Sequence, residues 1–255
     1  LQPWSLAQKR WKKRPYWTLV ERPRLANAAA LHATSEMERT DLERLVPGVP
    51  VVVVPNGVDL PPAVQVPRDP RQVVFLGRLH PKKGLDILVT ALARVARTFP
   101  DVHAVVAGPD DAAEWPRIER LLEGMSPRPR VRYVGEVKGE HKFRLLAQSA
   151  VFALPSHAEN FGQAVVEAMS VGTPVLVSRN TPWSSVEARG AGAWLENTPE
   201  AFAEGLCRVL ADPAGAAVMG TQASALAREF SWSSVGEAMA AAYASVLDRQ
   251  PRPSP

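Results

Sequence analysis

The fold is decided by residues 151–172, VFALPSHAENFGQAVVEAMSVG, in which an apolar run passes through a polar loop into a helical pattern. Residues 151–154 predict a strand. Val165, Ala168 and Met169 then recur at the spacing of one helix face. The segment therefore predicts the strand–loop–helix unit from which α/β proteins are built.

Two glutamates flank the start of that helix. Glu159 lies in the loop, and Glu167 lies in the second helical turn, where it points away from the apolar stripe. The backbone N–H groups near Asn160, Phe161 and Gly162 lie at the positive end of the helix dipole. This arrangement predicts a site for an anionic, hydroxyl-rich ligand beyond the strand ends of an open sheet.

The alternation of strands and helices continues on both sides of this segment. Strands are predicted at 72–76, 102–107, 131–134, 151–154 and 174–178, and helices at 85–98, 114–123, 139–148 and 162–171. Further helices are predicted at 199–211, 214–229 and 233–248. Alternation at this spacing implies right-handed crossovers. It predicts an α/β fold with a Rossmann-like parallel sheet and helices on both faces.

The first 60 residues follow a different pattern. They predict a helix at 23–30, a strand at 31–34, a helix at 36–45 and a strand at 51–54. Ser35 and Glu38 form a capping box for the helix at 36–45. The Asn56-Gly57 turn and the Pro-rich segment 61–70 follow, and we place a domain boundary at that segment.

The composition is that of a globular protein. At 255 residues, 46% hydrophobic and 22% charged, the chain suits one large or two small domains. A net charge of +4 favours anionic partners without naming one. The single Cys207 excludes an internal disulfide and is expected to be a buried structural thiol.

The sequence also bears on location. No stretch approaches the ~18 apolar residues of a membrane-spanning helix, and no signal peptide is recognised at the start. We therefore expect a cytoplasmic protein. The chain begins with Leu inside a helix-like pattern, as a fragment would.

A basic and aromatic segment opens the chain. Its cations are Lys9, Arg10, Lys12, Lys13 and Arg14, and its rings are Trp4, Trp11, Tyr16 and Trp17. We favour a helix whose aromatic face packs on a neighbouring element that is missing from this chain. The alternative is peripheral membrane contact through residues 4–17, on the inner face of the cytoplasmic membrane, with the rings at headgroup depth.

The loop after strand 72–76 is basic, with the sequence Gly77-Arg78-Leu79-His80-Pro81-Lys82-Lys83-Gly84. Two glycines enclosing Arg78 and Lys83 favour a diphosphate site, because backbone N–H groups and cations would both face the ligand. A solvated basic loop explains the segment equally well. The spacing matches neither a Walker loop nor G-x-G-x-x-G.

Three other strand ends carry weaker signals. Gly108 ends the second strand, and the pair Asp110-Asp111 after it fits a helix-capping turn better than a metal site. Val134 ends the third strand, where its backbone groups would meet the edge of a nucleobase. His157 suggests an acid/base role, although lone histidines near strand ends are usually structural. No catalytic base for an ordinary group transfer is evident.

Four motifs together carry a family resemblance. They are Pro55-Asn56-Gly57-Val58-Asp59; Gly77-Arg78-Leu79 with Lys83-Gly84; Val106-Ala107-Gly108-Pro109; and Leu154-Pro155-Ser156 with Glu159–Gly162 and Glu167–Met169, followed by Gly172-Thr173-Pro174-Val175. In this order and spacing, over about residues 4–248, they resemble retaining glycosyltransferases of family 4, which have the GT-B fold. Segments such as His80–Gly84 and Asn180–Trp183 look like those of bacterial lipopolysaccharide and exopolysaccharide enzymes.

The resemblance implies residue roles. Arg78 and Lys83 would bind the donor diphosphate and stabilise the leaving group. Glu159 would bind the donor sugar, and Glu167 would bind the ribose hydroxyls. The remaining donor-binding positions would be Gly77, Gly108, Val134, Asn160, Phe161 and Gly162. No metal ion or other cofactor is expected, since the cations and the helix N-terminus would supply the positive charge.

The resemblance also implies that most of an N-terminal acceptor-side domain is missing. Residues 1–57 would be its remnant and a linker, 58–230 the donor-binding domain, and 231–255 a crossover helix and tail with an exposed apolar face. Only the C-terminal half of a GT-B fold would then be complete.

The expected function is transfer of a sugar, with retention, from a nucleotide-diphosphate sugar to a glycan or lipid-linked acceptor in bacterial polysaccharide or lipopolysaccharide assembly. We expect little or no transfer by this chain alone, and no nucleic-acid partner. One alternative is a non-catalytic nucleotide-binding module that needs a partner chain for the N-terminal half. Another is a GT-B epimerase or phosphorylase.

Overall fold

The structure is a computed structural model, and it describes residues 15–61 and 64–249. The chain divides into two compact units. One contains the described residues up to Gly57 and those from Phe230 onward, and the other is Val58–Glu229. The boundary therefore falls a few residues before the Pro-rich segment 61–70. The last helix belongs to the first unit.

The unit Val58–Glu229 is built on one six-stranded sheet. Its strands are β3 (Asp69–Leu76), β4 (His103–Ala107), β5 (Arg130–Tyr133), β6 (Ser149–Leu154), β7 (Val175–Ser178) and β8 (Gly192–Leu195). Every neighbouring pair is parallel, and the strand order is β5-β4-β3-β6-β7-β8. The predicted α/β fold with a parallel sheet is confirmed.

Helices connect these strands, and two more follow the last strand. They are α3 (Leu85–Val95), α4 (Trp115–Glu123), α5 (Gly139–Gln148), α6 (Gln163–Ser170), α7 (Ser184–Ala188), α8 (Pro199–Ala211) and α9 (Pro213–Ala227), with short 3-10 turns at Pro81–Lys83 and Arg228–Phe230. The central strand β6 is buried along its whole length. Helix α3 buries seven residues against the core. Burial of both sheet faces explains why the strands read as continuous apolar runs.

Two elements of this unit were not predicted. Strand β8 lies at the edge of the sheet and only Leu195 in it is buried. Helix α7 has five residues and one buried side chain, Val186. Short, half-exposed elements lack an extended apolar pattern, so sequence periodicity does not reveal them. Helix α3 also ends at Val95 rather than at residue 98, because the residues after it, Arg97 and Thr98, face solvent in a turn.

The other unit is smaller. A π-helical turn, Trp17–Glu21, leads into helix α1 (Arg22–Ala26), then strand β1 (Leu31–Ala33), helix α2 (Glu36–Leu45), strand β2 (Val51–Val53) and the final helix α10 (Trp232–Arg249). Strands β1 and β2 pair in parallel. Leu31, Ala33, Leu42 and Val46 form the buried core.

Local capping sets the boundaries of these helices. The predicted helix at 23–30 is too long, because Asn27 ends it by donating from both its backbone and its side-chain nitrogen to Pro23 O, at 3.2 and 2.9 Å. The predicted cap of α2 is confirmed, since Ser35 Oγ accepts from Glu38 N at 3.2 Å. The Glu38 carboxylate reaches back to Thr34 N at 2.8 Å and closes the turn.

Most of the basic and aromatic opening segment, residues 1–14, lies outside the described residues. Of its rings, Tyr16 is 55% exposed and Trp17 packs against the core of the smaller unit. The residues on which Trp17 packs are thus part of this chain, whereas the helix interpretation expected a missing neighbour. In the described part of the chain, no helix is long and apolar enough to cross a membrane.

The final helix exposes apolar side chains, as expected. Trp232, Tyr243 and Leu247 are each more than half exposed. Trp232 also lies directly over Gly57, where an added Cβ would sit 2.3 Å from the indole ring. The glycine of the Asn56-Gly57 turn therefore leaves room for this ring.

Replacing Gly220 by Ala should destabilise the larger unit. A Cβ at Gly220, in α9, would lie 2.2 Å from Gly172 O, so the helix would have to move away from that turn. We expect a loss on the order of 1–3 kcal/mol in the free energy of unfolding, measured in urea.

Gly236→Ala is the matched control, since Gly236 is also helical but a Cβ there has nothing within 4 Å. It should stabilise the chain by about 0.5–1 kcal/mol. Equal stability of Gly220→Ala and the unmodified chain would show that α9 does not pack this closely.

Candidate functional site

The strand order fixes where a ligand site should lie. The chain moves from β3 to β4 and β5 on one side of the sheet, and returns to β6 on the other side of β3. The connections that leave β3 and β6 therefore diverge and open a crevice at their carboxyl ends. In open α/β sheets this topological switch point is the usual place for a ligand.

The two loops at the switch point pack directly on each other. His157 N donates to Lys82 O at 2.8 Å. Gly84 ends the first loop with a left-handed backbone (φ +66°), and a Cβ there would lie 2.0 Å from Pro155 O. Glycine is required at position 84 for both reasons. The basic loop is therefore anchored to the loop that carries Glu159.

An ion pair joins the same two loops. Lys83 Nζ contacts Glu159 Oε1, and Ser156 Oγ donates to the same carboxylate oxygen at 2.9 Å. The Lys83 and Glu159 side chains are only 19% and 10% exposed. Ser178 Oγ, at the end of β7, stabilises the loop that carries Glu159 by donating to Ser156 O at 2.6 Å. Two residues predicted from separate motifs thus meet in one network.

Further cations surround this pair. Burial lowers the pKa of Lys82, and the neighbouring charges of Lys83 and Arg78 lower it too, while Glu159 opposes the shift. Arg78 is exposed at the mouth of the crevice. Lys82 and Arg78 thus add positive charge to the loop that carries Lys83, which favours an anionic ligand there.

The helical wheel predicts that Glu167 points away from the apolar stripe, and helix α5 rather than solvent lies on that side. Glu167 is 8% exposed, and its carboxylate accepts from Lys142 Nζ at 2.8 Å. The reason is tertiary, because helix α5 packs beside α6 and covers that side of it. Lys142 lies over the ring of Phe143, 4.8 Å from its centroid. The pair is partly enclosed, with side-chain exposures of 22% and 11%.

At the same edge of the sheet, backbone hydrogen bonds join the ends of β3, β4 and β5. Gly77 N donates to Ala107 O at 3.0 Å, and Gly108 N donates to Gly135 O at 2.8 Å. Val134 N donates to Val106 O at 3.0 Å, so its amide already has an acceptor within the sheet. A nucleobase edge at this position would have to meet the Val134 carbonyl.

The N-terminus of α6 is held by aromatic packing. Gly162 is its N-cap in the left-handed region, and no side chain caps it. Trp183, which is buried, donates from its indole nitrogen to Phe161 O and packs on the Phe161 ring at 5.3 Å. Asn160 and Phe161 have further interactions within the chain. That their amides receive a ligand stays a prediction.

The predicted capping turn is confirmed at Asp110. Its carboxylate accepts from Glu114 N at 2.7 Å and from Trp115 N at 3.0 Å, at the start of α4. His157 is exposed, and its Nδ1 lies 3.3 Å from Asn197 Nδ2. It has no contact with the Glu159 carboxylate.

The structure thus gathers the predicted residues of four loops along the carboxyl edge of β5, β4, β3 and β6. Sequence reasoning missed Lys142 and Ser156. Ser156 lies three positions before Glu159, a spacing that could have drawn attention to it. Lys142 carried no such signal, because nothing in the pattern of α5 relates it to a carboxylate 25 residues later.

A doubly wound Rossmann-like domain with charged side chains at its switch point defines a class of ligand-binding α/β domains. Within that class, residues 59–225 match the family model of the group 1 glycosyl transferases. The chain belongs to this family. The predicted resemblance to glycosyltransferases is confirmed at that level.

Individual relatives agree. The chain is 32% identical over 254 residues to a D-inositol 3-phosphate glycosyltransferase of Kineococcus radiotolerans, covering 87% of this chain and 58% of the relative. It is 31% identical over 209 residues to a phosphatidyl-myo-inositol mannosyltransferase of Mycolicibacterium smegmatis, covering 78% and 53%. The chain spans little more than half the length of these relatives.

Solved structures share the fold. A sucrose-phosphate synthase from Thermosynechococcus elongatus superposes with a TM-score of 0.82 at 25% identity, over 97% of this chain and 65% of that one. Anabaena HepE, solved with UDP and glucose, superposes with a TM-score of 0.73 at 23% identity, over 86% and 64%. The described sheet and its helices therefore match the GT-B architecture of these structures.

Replacing Lys142 by Met should destabilise the chain, because Glu167 would remain buried without its cation. We expect a loss of about 1–3 kcal/mol in the free energy of unfolding, below the value for a fully buried pair since both side chains retain some solvent.

Lys138→Met is the control. Lys138 pairs with Glu136 at 2.9 Å but both side chains are exposed, so the change should stay within about 0.5 kcal/mol. If the two substitutions have equal effects, the Lys142–Glu167 pair does not stabilise the fold.

Proposed function

We propose that this chain is the donor-binding part of a retaining glycosyltransferase of the family 4 type, which uses a nucleotide-diphosphate sugar. The observation that carries the proposal is the convergence of Arg78, Lys83 and Glu159 at the switch point of the sheet, with Glu167 one helix turn further on. Cations suit a diphosphate, and carboxylates suit sugar hydroxyls.

In the proposed arrangement the two glutamates lie on either side of the α6 N-terminus. Glu167, oriented by Lys142, accepts hydrogen bonds from the ribose hydroxyls. Glu159, oriented by Ser156 and Lys83, accepts them from the donor sugar. The diphosphate lies between them, against the cations and the positive end of the helix.

The proposed chemistry needs charge stabilisation at the leaving group. When the bond between the sugar and the diphosphate breaks, negative charge grows on the diphosphate oxygens. Arg78, which is exposed, and Lys83, which is held by Glu159, lie on the same loop, and they offset that charge without a metal ion. We therefore propose a metal-independent reaction. The acceptor would be bound by residues outside the donor half.

The proposed acceptor is a glycan or a lipid-linked sugar in bacterial polysaccharide or lipopolysaccharide assembly. One relative is named for transfer to phosphatidyl-myo-inositol, a lipid, which supports a lipid-linked acceptor. Another is named glycogen synthase, which supports a glycan. Both kinds of acceptor are thus represented among proteins similar to this chain.

Arg78→Ala and Glu167→Ala should each weaken binding of a nucleoside diphosphate. Each removes a charged hydrogen-bonding group worth about 1.5–3 kcal/mol, which corresponds to roughly a ten- to hundredfold rise in Kd. Calorimetric titration with the diphosphates of uridine, guanosine and adenosine measures this and identifies the base.

Arg97→Ala is the control for Arg78→Ala, since Arg97 is an equally exposed arginine just after α3. It should leave Kd unchanged. If neither Arg78→Ala nor Glu167→Ala changes the Kd for the nucleoside diphosphate, the site assignment is wrong.

The second candidate function is a non-catalytic nucleotide-binding module that requires a partner chain. The observation that favours it is length, since the chain spans 58% of its inositol-phosphate relative. Incubation with a radiolabelled nucleotide sugar separates the two proposals. Little or no transfer is expected from residues 1–255 alone, because acceptor positioning would be absent. Measurable transfer to an added acceptor would exclude the non-catalytic module.

Peripheral membrane contact through residues 4–17 remains part of the proposal for a lipid-linked acceptor. Flotation with vesicles of anionic phospholipid should carry the chain upward at low salt and release it at high salt, because the contact would depend on the basic cluster. Replacing Lys12 and Lys13 by Gln should reduce flotation. If the chain does not float with the vesicles at low salt, the proposed membrane contact is wrong.

A further inference from the structure

A cavity of about 470 Å³ lies at the opposite end of the sheet from the candidate donor site. It is bounded by the first residues of β3 and β6, represented by Pro70 and Ala150, and by Gly172 ahead of β7. These are amino-terminal ends, whereas the donor site uses the carboxyl ends. The volume falls in the range of about 300–1,000 Å³ that is usual for small-molecule sites.

The walls of this cavity are apolar. The end of α8 contributes Val209 and Leu210, and the first turns of α9 contribute Pro213 and the alanines 216 and 217. Two hydroxyl groups also reach the wall, but both donate to protein carbonyls. Thr221 Oγ1 bonds to Ala217 O at 3.2 Å, and Ser224 Oγ bonds to Met169 O at 3.3 Å. The lining therefore favours an alkyl group.

Arg68 is the charged side chain of the lining. Nη2 donates to Gly172 O at 2.9 Å. Although the residue keeps an exposed surface, enough protein surrounds its guanidinium that burial lowers its pKa.

Arg68 differs from the next arginine along the chain in its pairing. Among the described residues, no carboxylate lies within 4.0 Å of the Arg68 guanidinium, whereas Arg71, three positions later, pairs with Asp101 at 3.1 Å and also donates to Leu210 O. Arg68 therefore presents N–H donors and an uncompensated charge to whatever occupies the cavity.

We propose that this cavity binds a single-chain amphipathic anion, with its carboxylate or phosphate head on Arg68 and its alkyl chain along α8 and α9. The head would receive charge-assisted hydrogen bonds from the guanidinium, and the chain would bury its surface on the alanines and leucine of the wall. The proposal is independent of the proposed donor site, which lies at the other end of the sheet.

Calorimetric titration of the full chain with octanoate, octyl phosphate and 1-octanol tests the proposal. Octanoate or octyl phosphate should bind saturably, and the tighter of the two identifies the head group. Octanol should bind at least about tenfold more weakly, because it lacks the charge. Saturable binding of octanol with equal affinity, or no binding of either anion, would overturn the proposal.

Variants locate the binding. Arg68→Gln should raise the Kd of the anion by about tenfold or more, and Arg68→Lys should restore part of the affinity because it keeps the charge. Ala217→Phe, at an exposed position of α9 in the lining, should block the cavity without entering the core. Arg97→Gln, at an exposed arginine outside the cavity, should bind as the unmodified chain does.

Folding is checked separately by the urea midpoint of each variant. If Arg68→Gln proves unfolded, the comparison of Ala217→Phe with the unmodified chain still decides. Unchanged anion binding in folded Ala217→Phe would show that the ligand binds elsewhere and would overturn the proposal.

Discussion

The candidate site depends on one topological constraint, the reversal of strand order between β3 and β6. These two strands are parallel neighbours at the centre of the sheet, yet the chain leaves them in opposite directions. Right-handed crossovers force the connecting helices onto different faces, so no connection covers the carboxyl ends of β3 and β6. Both loops are free to approach each other there, and the contact of Gly84 with Pro155 O shows how closely they do. Every charged residue of the candidate site except Lys142 comes from these two loops and the helix that follows.

Charge compensation is the second organising feature. Each glutamate of the motif has a lysine from another part of the chain, Lys83 for Glu159 and Lys142 for Glu167. Such pairs hold an enclosed carboxylate in one orientation beside a positive charge. A carboxylate held in this way can accept hydrogen bonds from the hydroxyl groups of a ligand. The surplus of positive charge lies on the Gly77–Gly84 loop, where Lys82 and Arg78 add to Lys83. The opposite end of the sheet differs, since Arg68 has no acid partner within the described residues.

Much of the fold could be predicted from local pattern. Five strands of the main sheet and the helices between them were located, because strands buried on both faces read as apolar runs and the helices carry apolar stripes. Helix α2 was predicted with its bounds, since Ser35 supplies a local N-cap. Strand β8 and helix α7 were missed because they are short and half-exposed. The order of the strands could not be predicted in detail, since β3 pairs with β6 across about 80 residues of chain and periodicity does not encode such a contact.

The sequence by itself determined the kind of protein, through strand ends that carry glycine and charge in a fixed order along the chain. It also determined which residue types were available for a diphosphate and for sugar hydroxyls, because those follow from side-chain chemistry. Only the tertiary structure decided which charges meet. Glu167 was expected to point away from the apolar stripe, and the packing of α5 made Lys142 its partner there. The cavity beside Arg68 likewise arises from the meeting of α8, α9 and the sheet. The physical reason is common to both: a helical wheel gives the direction of a side chain, whereas its partner depends on which element the topology places beside it.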